Sequence, residues 1–257
     1  MVQVCIGWDS REVAAYRVCK HSIVSRSQAG VAVEPLIEPM LRLGGLYRRA
    51  VSVLEDGRRW DHVSGAWVST DFAFTRFLVP FIAAHTRRRF VLFCDCDFLF
   101  TQPVEELFRH ADDRYAVQVV KHDFAPAEAD KMDGQAQQPY PRKWWSALVL
   151  WNLEHPGNRR LTLADVNEKP GAWLHRFGWL ADEEIGDLPA DWHWLEGYSA
   201  PLDPAAGVTP SGIHFTRGGP WLGERWRHVA YADLWLDELA AAEAAPAPFG
   251  VTQPGAA

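Results

Sequence analysis

The segment FVLFCDCDFLF, residues 90–100, sets aspartates at 95 and 97 inside a run otherwise made of phenylalanine, leucine, valine and cysteine. Such a run reads as a strand covered on both faces of a sheet. A carboxylate buried there is costly unless it is paired or bound to a cation. This conflict constrains the chain more than any other feature, because the fold must bury the strand and still compensate two charges. In a strand, residues i and i+2 point to the same side. Asp95 and Asp97 therefore aim at one point, with Cys94 and Cys96 facing the other way. If the strand ends there, the carboxylates lie at the carboxyl edge of the sheet, where open α/β folds bind ligands. Two adjacent carboxylates repel unless a cation or proton intervenes, and oxygen ligands of this kind suit Mg²⁺ or Mn²⁺, often shared with phosphate oxygens. Two other readings stand beside this one. One aspartate caps the following turn while the other is solvated; or Cys94 and Cys96 begin a zinc site, which needs two more soft ligands from a chain without a C-x-x-C or H-x-H pair.

Strands and helices alternate around this segment. VQVCIGWD reads as a first strand ending in an acidic turn, and REVAAYRVCKHSIVSRS as a helix with Ala15, Val18, Cys19 and Ile23 at helical spacing. VAVEPLI is a second strand. Residues 39–68 read as irregular, with turn signals at Gly44-Gly45 and Asp56-Gly57. Ser69, Thr70 or Asp71 caps a helix whose stripe is Phe74, Phe77, Leu78 and Phe81, and Pro80 kinks or shortens it. On that helix Arg76 faces away from the stripe, as an exposed arginine would. PVEELFRH predicts a short helix, and RYAVQVVKHD, SALVLWN and GIHFTRGGPW predict further strands, the last running into a glycine loop. The class is α/β with a largely parallel central sheet flanked by helices. The Ala/Pro/Gly-rich end predicts disorder after about residue 243, leaving 1–243 as one domain and 244–257 as a tail.

Charge and cysteine usage narrow the partners. A net charge of −7 over 257 residues argues against nucleic acid or an anionic membrane surface. No apolar stretch approaches the ~20 residues of a membrane span, and the amino terminus reads as a strand rather than a signal peptide. Four cysteines without a disulfide framework indicate a reducing, cytoplasmic setting. Ten of the thirteen tryptophans follow residue 143, which makes Trp144, Trp145, Trp192, Trp194 and Trp221 candidates for core and cleft wall.

GIHFTRGGPW adds a third candidate ligand. His214 ends an apolar strand and suits a metal already held by two carboxylates, although a histidine there also serves as a core residue. Gly218 and Gly219 let backbone N–H groups approach a phosphate, and Arg217 would neutralise it.

In these segments, over residues 2–225 and in order, the chain resembles the GT-A fold glycosyltransferases, most of all the family 8 group of glycogenin and bacterial lipopolysaccharide galactosyltransferases. VCIGWDS is similar to the family's nucleotide-binding strand, which implies that Asp9 meets the uracil or ribose. FTRFLVP matches a helix with a donor-contacting arginine, here Arg76. LFCDCDFLF matches the D-x-D strand, making Asp95 and Asp97 ligands of the metal and diphosphate. Trp145-Ser146-Ala147 stands where the family has Asn-Ser/Ala-Gly against the donor sugar. LADEEIGDLP resembles the D-Q-D segment, with Asp182 at its first acid and Glu183 at the glutamine beside the reacting carbon. HFTRGGPW resembles the His-to-Lys-Pro-Trp motif with His214, Pro220 and Trp221 in place; it is one residue shorter, and Gly219 replaces the lysine, so Arg217 and Gly218 stand in at the diphosphate.

The resemblance implies transfer of a sugar from a nucleotide-diphosphate donor, UDP-linked, with Mn²⁺ or Mg²⁺, to a glycan or other hydroxyl acceptor. It implies catalysis by Arg76, Asp182 and Glu183 with retention of configuration, although a carboxylate at Glu183 pulls toward inversion as a general base. Two alternatives remain. One is a metal-dependent pyrophosphorylase or hydrolase of nucleotide sugars, against which GWDSREVAAY lacks a glycine-rich basic loop. The other is a non-catalytic carbohydrate-binding protein on the same fold.

Overall fold

β1 (Val2–Gly7) pairs in parallel with β2 (Val31–Leu36), and α1 (Val13–Arg26) crosses between them. Ala15, Val18, Cys19 and Ile23 of α1 are buried, as their spacing predicts. The computed structural model describes residues 1–122, 142–200 and 208–245. The tail expected to be disordered lies, from residue 246 onward, outside the described residues.

The stretch read as irregular is ordered into α2 (Glu38–Leu43) and an antiparallel sheet of β3 (Val51–Val53), β4 (Arg59–Asp61) and β5 (Ala66–Val68). Strands of three residues are too short for alternation to be legible. Their anchor is polar instead. Arg49 and Asp61, both with fully buried side chains, form a two-pronged pair at 2.8 and 2.7 Å. Arg49 also donates to the carbonyls of Val166 and Lys169 and lies 4.0 Å from the centre of the Phe74 ring. One guanidinium thus ties the small sheet to the body of the fold.

The helix expected after residue 70 is broken into a 3-10 turn over Thr75–Leu78, a single α-turn, α3 (Val79–Ile82), and a second 3-10 turn over Ala83–Thr86. Pro80 lacks an N–H and is tolerated only in a first turn, so α3 starts afresh around it. The face geometry of one continuous helix is lost, and Arg76 turns inward, only 6% exposed.

The aspartate segment is likewise two strands rather than one. β6 (Phe90–Cys94) belongs to the central sheet, while β7 (Phe98–Phe100) belongs to a second sheet. Beyond them follow α4 (Val104–Phe108), β8 (Val117–Val119), β9 (Leu148–Asn152), α5 (Leu163–Glu168), α6 (Gly171–His175), β10 (Ile185–Asp187), β11 (Trp194–Leu195), β12 (Gly212–His214) and α7 (Ala232–Ala244). The central sheet has the order β10-β8-β9-β6-β1-β2. β1 runs parallel to β2 and β6, and β8 to β10; β9 alone is antiparallel to its neighbours. The mixed, mostly parallel α/β sheet expected from the sequence is therefore present. β1, β6, β8 and β10 all end at one edge, and β9 begins there.

The second sheet, β11-β12-β7, lies beside that edge. Its register sets His214 opposite Phe98, and the Phe215 N–H donates to the Asp97 carbonyl at 3.0 Å. Val18, Leu99, Trp194, Ile213, Phe215 and Trp235 form a separate small core joining this sheet to α1 and α7. Among the described residues no helix is long and apolar enough to cross a membrane.

Arg49→Met strands Asp61 as a buried, uncompensated carboxylate. Unfolding in urea is expected to show a loss of about 3–5 kcal/mol; a loss below about 1 kcal/mol, the range of exposed pairs, would show that the pair does not anchor the small sheet.

Candidate active site

At the exit of β6 the chain turns through Asp95, Cys96 and Asp97 before entering β7. The Asp95 N–H is held by the Ala147 carbonyl at 2.9 Å, just ahead of β9. One ligand atom from each of Asp95, Asp97 and His214 falls within 4.8 Å of the others. His214 Nε2 lies 3.2 Å from Asp97 Oδ1. Asp97 Oδ1 is buried without a hydrogen bond among the described residues, and Asp95 Oδ1, also buried, meets Arg76 in an ion pair outside hydrogen-bond geometry. Two carboxylates and a ring nitrogen converging on one point are a donor set that suits a divalent ion such as Mg²⁺ or Mn²⁺.

Arg76 compensates the inner aspartate. Its Nη1 is 2.9 Å from Asp95 Oδ1, and its Nη2 donates to Asp95 Oδ2 at 3.3 Å. Nη1 also donates to the Ser146 carbonyl at 3.0 Å, and Nε to the Phe72 carbonyl at 3.3 Å. Burial pushes the Asp95 carboxyl up to about 6; Arg76 pulls it back and Asp97 pushes it up again. Ser146 Oγ shares a hydrogen bond of 2.8 Å with His175 Nδ1, which brings the end of α6 into the site. Behind the turn, the Cys96 thiol donates to Glu12 Oε2 at 3.2 Å. Glu12 is buried at the start of α1, and burial, then the charge of Asp97, pushes its carboxyl up to about 8. Glu12 thus enters neutral pH largely protonated.

The structure brings Asp95, Asp97, His214, Arg76 and Ser146 together and leaves other expected residues elsewhere. Asp9 is fully buried, and its carboxylate oxygens accept from Arg11 and the Asp71 N–H. Burial opposes its ionisation, but these donors hold its carboxyl below the usual range. Its charge is answered inside the fold by Arg11 and the Asp71 N–H. Arg217 is exposed and lies 5.8 Å from the Tyr198 ring centre, across Gly197. The Gly218 N–H, expected to be open to phosphate, closes a turn on the Phe215 carbonyl at 2.8 Å.

Asp182 and Glu183 are farthest from expectation. They precede β10, whose first residue pairs with Val117 at the amino end of β8, and the Ala116 N–H bonds the neighbouring Glu184 carbonyl. That is the sheet edge opposite Asp95. Both side chains are exposed, Asp182 in an ion pair with Arg142. The chain passes directly from the acidic turn into the strand, so no intervening helix returns Glu183 to the carboxyl edge. The carboxylate at that end of β10 is instead Asp187, 3.3 Å from Lys121.

Among the tryptophans, Trp192 and Trp194 are buried, and Trp221 packs on Phe215 and Trp235. Trp145 is half-buried near the cluster, with Lys121 and Arg142 at 5.8 and 5.6 Å from its ring centre. Three residues of the site escaped the sequence reading: Glu12, His175 and His193. Each lies far from Asp95 in sequence, Glu12 ahead of α1, His175 at the end of α6 and His193 in a 3-10 turn, and only the WHW grouping at 192–194 hinted at the last. His193 is fully buried, with Nε2 2.8 Å from His214 Nδ1; burial, then His122 and His214, hold its ring well below the usual histidine range.

No known family model matches the chain. Solved structures with similar folds are glycosyltransferases of the GT-A class. WbbM, a bifunctional glycosyltransferase, superposes with a TM-score of 0.54 at 16% identity, over 93% of this chain and 49% of its own. GlyE of Streptococcus pneumoniae gives 0.56 at 13% identity, over 93% and 60%. The galactosyltransferase LgtC, solved with donor and acceptor sugar analogues, gives 0.53 at 11% identity, over 95% and 98%. The chain thus spans about half of WbbM and three fifths of GlyE. At such identities the likeness establishes the fold. In sequence, the chain is 43% identical to Protein CDI of Arabidopsis thaliana over 237 residues, 92% of this chain and 85% of that protein. On that match the chain belongs to the family of Protein CDI.

Proposed function

We propose that the chain is a metal-dependent glycosyltransferase acting on a UDP-linked sugar donor, with retention, in the manner of the family 8 enzymes its motifs resemble. The observation that carries this reading is the convergence of Asp95, Asp97 and His214 at the carboxyl edge of a GT-A-type sheet. Mg²⁺ or Mn²⁺ bound by these three would supply the positive charge that stabilises a departing diphosphate. The chain's own residues do the positioning. Arg76 fixes the Asp95 carboxylate and the turn before β9 together. Ser146, held by His175 and by Arg76, is the residue assigned to the donor sugar on the motif it resembles. Arg217, over Tyr198, is the cation offered to the diphosphate in place of the family's lysine. Four buried, unpaired cysteines support a reducing, cytoplasmic setting.

The place of Glu183 favours retention. The carboxylate that argued for inversion lies off the far edge of the sheet. In a retaining transfer the acceptor attacks from the face the diphosphate leaves, and the departing phosphate oxygen takes its proton without a strong protein base.

Asp97→Asn keeps the shape of the turn but removes a negative ligand. It is expected to fold as the wild type does and to lose Mn²⁺-dependent hydrolysis or transfer of UDP-sugars; undiminished turnover in the variant, or in excess chelator, would rule out the metal reading. Affinity should also depend on pH. Protonation neutralises Asp95, whose carboxyl is pushed up to about 6, so Mn²⁺ binding measured by calorimetry should level off above neutral pH and weaken progressively below that value. Affinity that stays flat down to pH ~4, the ordinary carboxylate range, would mean that Asp95 is not a ligand. Proton NMR of the first-formed product from an α-linked donor should show an α linkage, whereas a β product would require a base at the carboxyl edge.

A further inference from the structure

His193 and His214 reach each other from neighbouring strands of the second sheet. His193 closes a 3-10 turn over Ala190–His193 that leads into β11, and β11 lies parallel to β12 with Leu195 opposite His214. The approach is tight. A side chain at Gly212 would collide with the Trp192 carbonyl, since a Cβ there falls 2.2 Å from the oxygen. With glycine at 212, His193 Nε2 comes to 2.8 Å from His214 Nδ1. The His214 ring is also clamped in plane by Phe98, stacked at 4.5 Å and 14°.

The hydrogen-bond pattern distinguishes the two nitrogens of His214. Nε2 faces Asp97 Oδ1 at 3.2 Å, yet that oxygen has no hydrogen-bond partner among the described residues. The contact is short but outside hydrogen-bond geometry, which suits two ligands converging on one ion better than a donor facing an acceptor. A neutral imidazole with its lone pair on Nε2 carries its proton on Nδ1, and a buried N–H requires an acceptor. His193 Nε2 is in place to accept it. The His193 proton then sits on Nδ1, which is buried without a hydrogen-bond partner among the described residues and packs near the His122 ring, 4.6 Å between ring centres. The metal's need for the Nε2 lone pair of His214 is what selects this direction.

We propose that His193 is a positioning residue that fixes His214 as the Nδ1–H tautomer and so aims its Nε2 lone pair at the metal position. The inference rests on the metal reading of Asp95, Asp97 and His214 and extends it to a partner behind the ligand. Such outer partners orient the ring and raise the basicity of the ligating nitrogen. A phenylalanine at 193 would keep the volume and lose the acceptor, whereas a glutamine would offer a carbonyl oxygen in its place.

Mn²⁺ binding by the full chain, followed by the EPR signal of the free ion, tests the role. His193→Phe is expected to lose about 10–100-fold in affinity and His193→Gln to recover most of it. Two-bond ¹H–¹⁵N correlation spectra of the metal-free wild type should show His214 protonated on Nδ1 and bare on Nε2, a readout that needs no variant to fold. Wild-type binding with His193→Phe within about twofold of it, against the loss expected for such a partner, would overturn the role of His193 and leave the metal reading intact. A proton on Nε2 of metal-free His214 would overturn it as well. A wild type that binds no Mn²⁺ would overturn the metal reading and this inference together.

Discussion

Asp95 and Asp97 sit where the chain leaves one sheet for another, and the compensation of their charge organises everything nearby. β6 can stay apolar because its carboxylates begin only after its last central-sheet residue, Cys94. Asp95 is then met by Arg76 from the inside, and Asp97 is brought beside His214 by the register of β7 with β12. Glu12, a third acid behind the turn, would add to the repulsion if ionised, but burial and then Asp97 push its carboxyl up, well above the usual carboxylate range. A buried acidic turn survives only because each charge has a local answer. Asp97 Oδ1, buried beside His214 without a hydrogen bond among the described residues, is the part of that balance answered least.

The same solution recurs away from the site. Asp61 is answered by Arg49, and Asp9 by Arg11. In both cases the guanidinium fork meets the carboxylate with two bonds, which fixes direction as well as charge. Arg49 pins a three-stranded sheet too small for a core of its own, and Arg11 closes the turn after β1. These pairs explain why acidic residues that look available in the sequence are structural.

Membership in the family of Protein CDI and likeness to GT-A folds carry different weight. At 43% identity over most of both chains, the relationship to Protein CDI is one of common sequence. The likeness to WbbM, GlyE and LgtC, at 11–16% identity, is one of backbone architecture. The functional proposal therefore stands on the local geometry of Asp95, Asp97, His214 and Arg76, which the chain displays by itself.

Several features were legible from the residues alone. Alternating apolar segments announced an α/β sheet, the D-x-D spacing put two carboxylates at its carboxyl edge, and His214 stood out as an imidazole ending an apolar strand. Those signals are local: a period of two, a helical stripe, a charge where none belongs. What the residues could not announce depended on contacts between distant segments. Only the folded chain decided that β6 and β7 are separate strands, that Arg76 turns inward once Pro80 breaks its helix, and that Asp9 is consumed by Arg11. Only it decided that Glu183 lies at the far edge of the sheet, because the direction of β10 is set by its pairing with β8. A sequence pattern reports which side chains one element buries; which charge faces which is settled by register and crossover, and these exist only after the strands have paired.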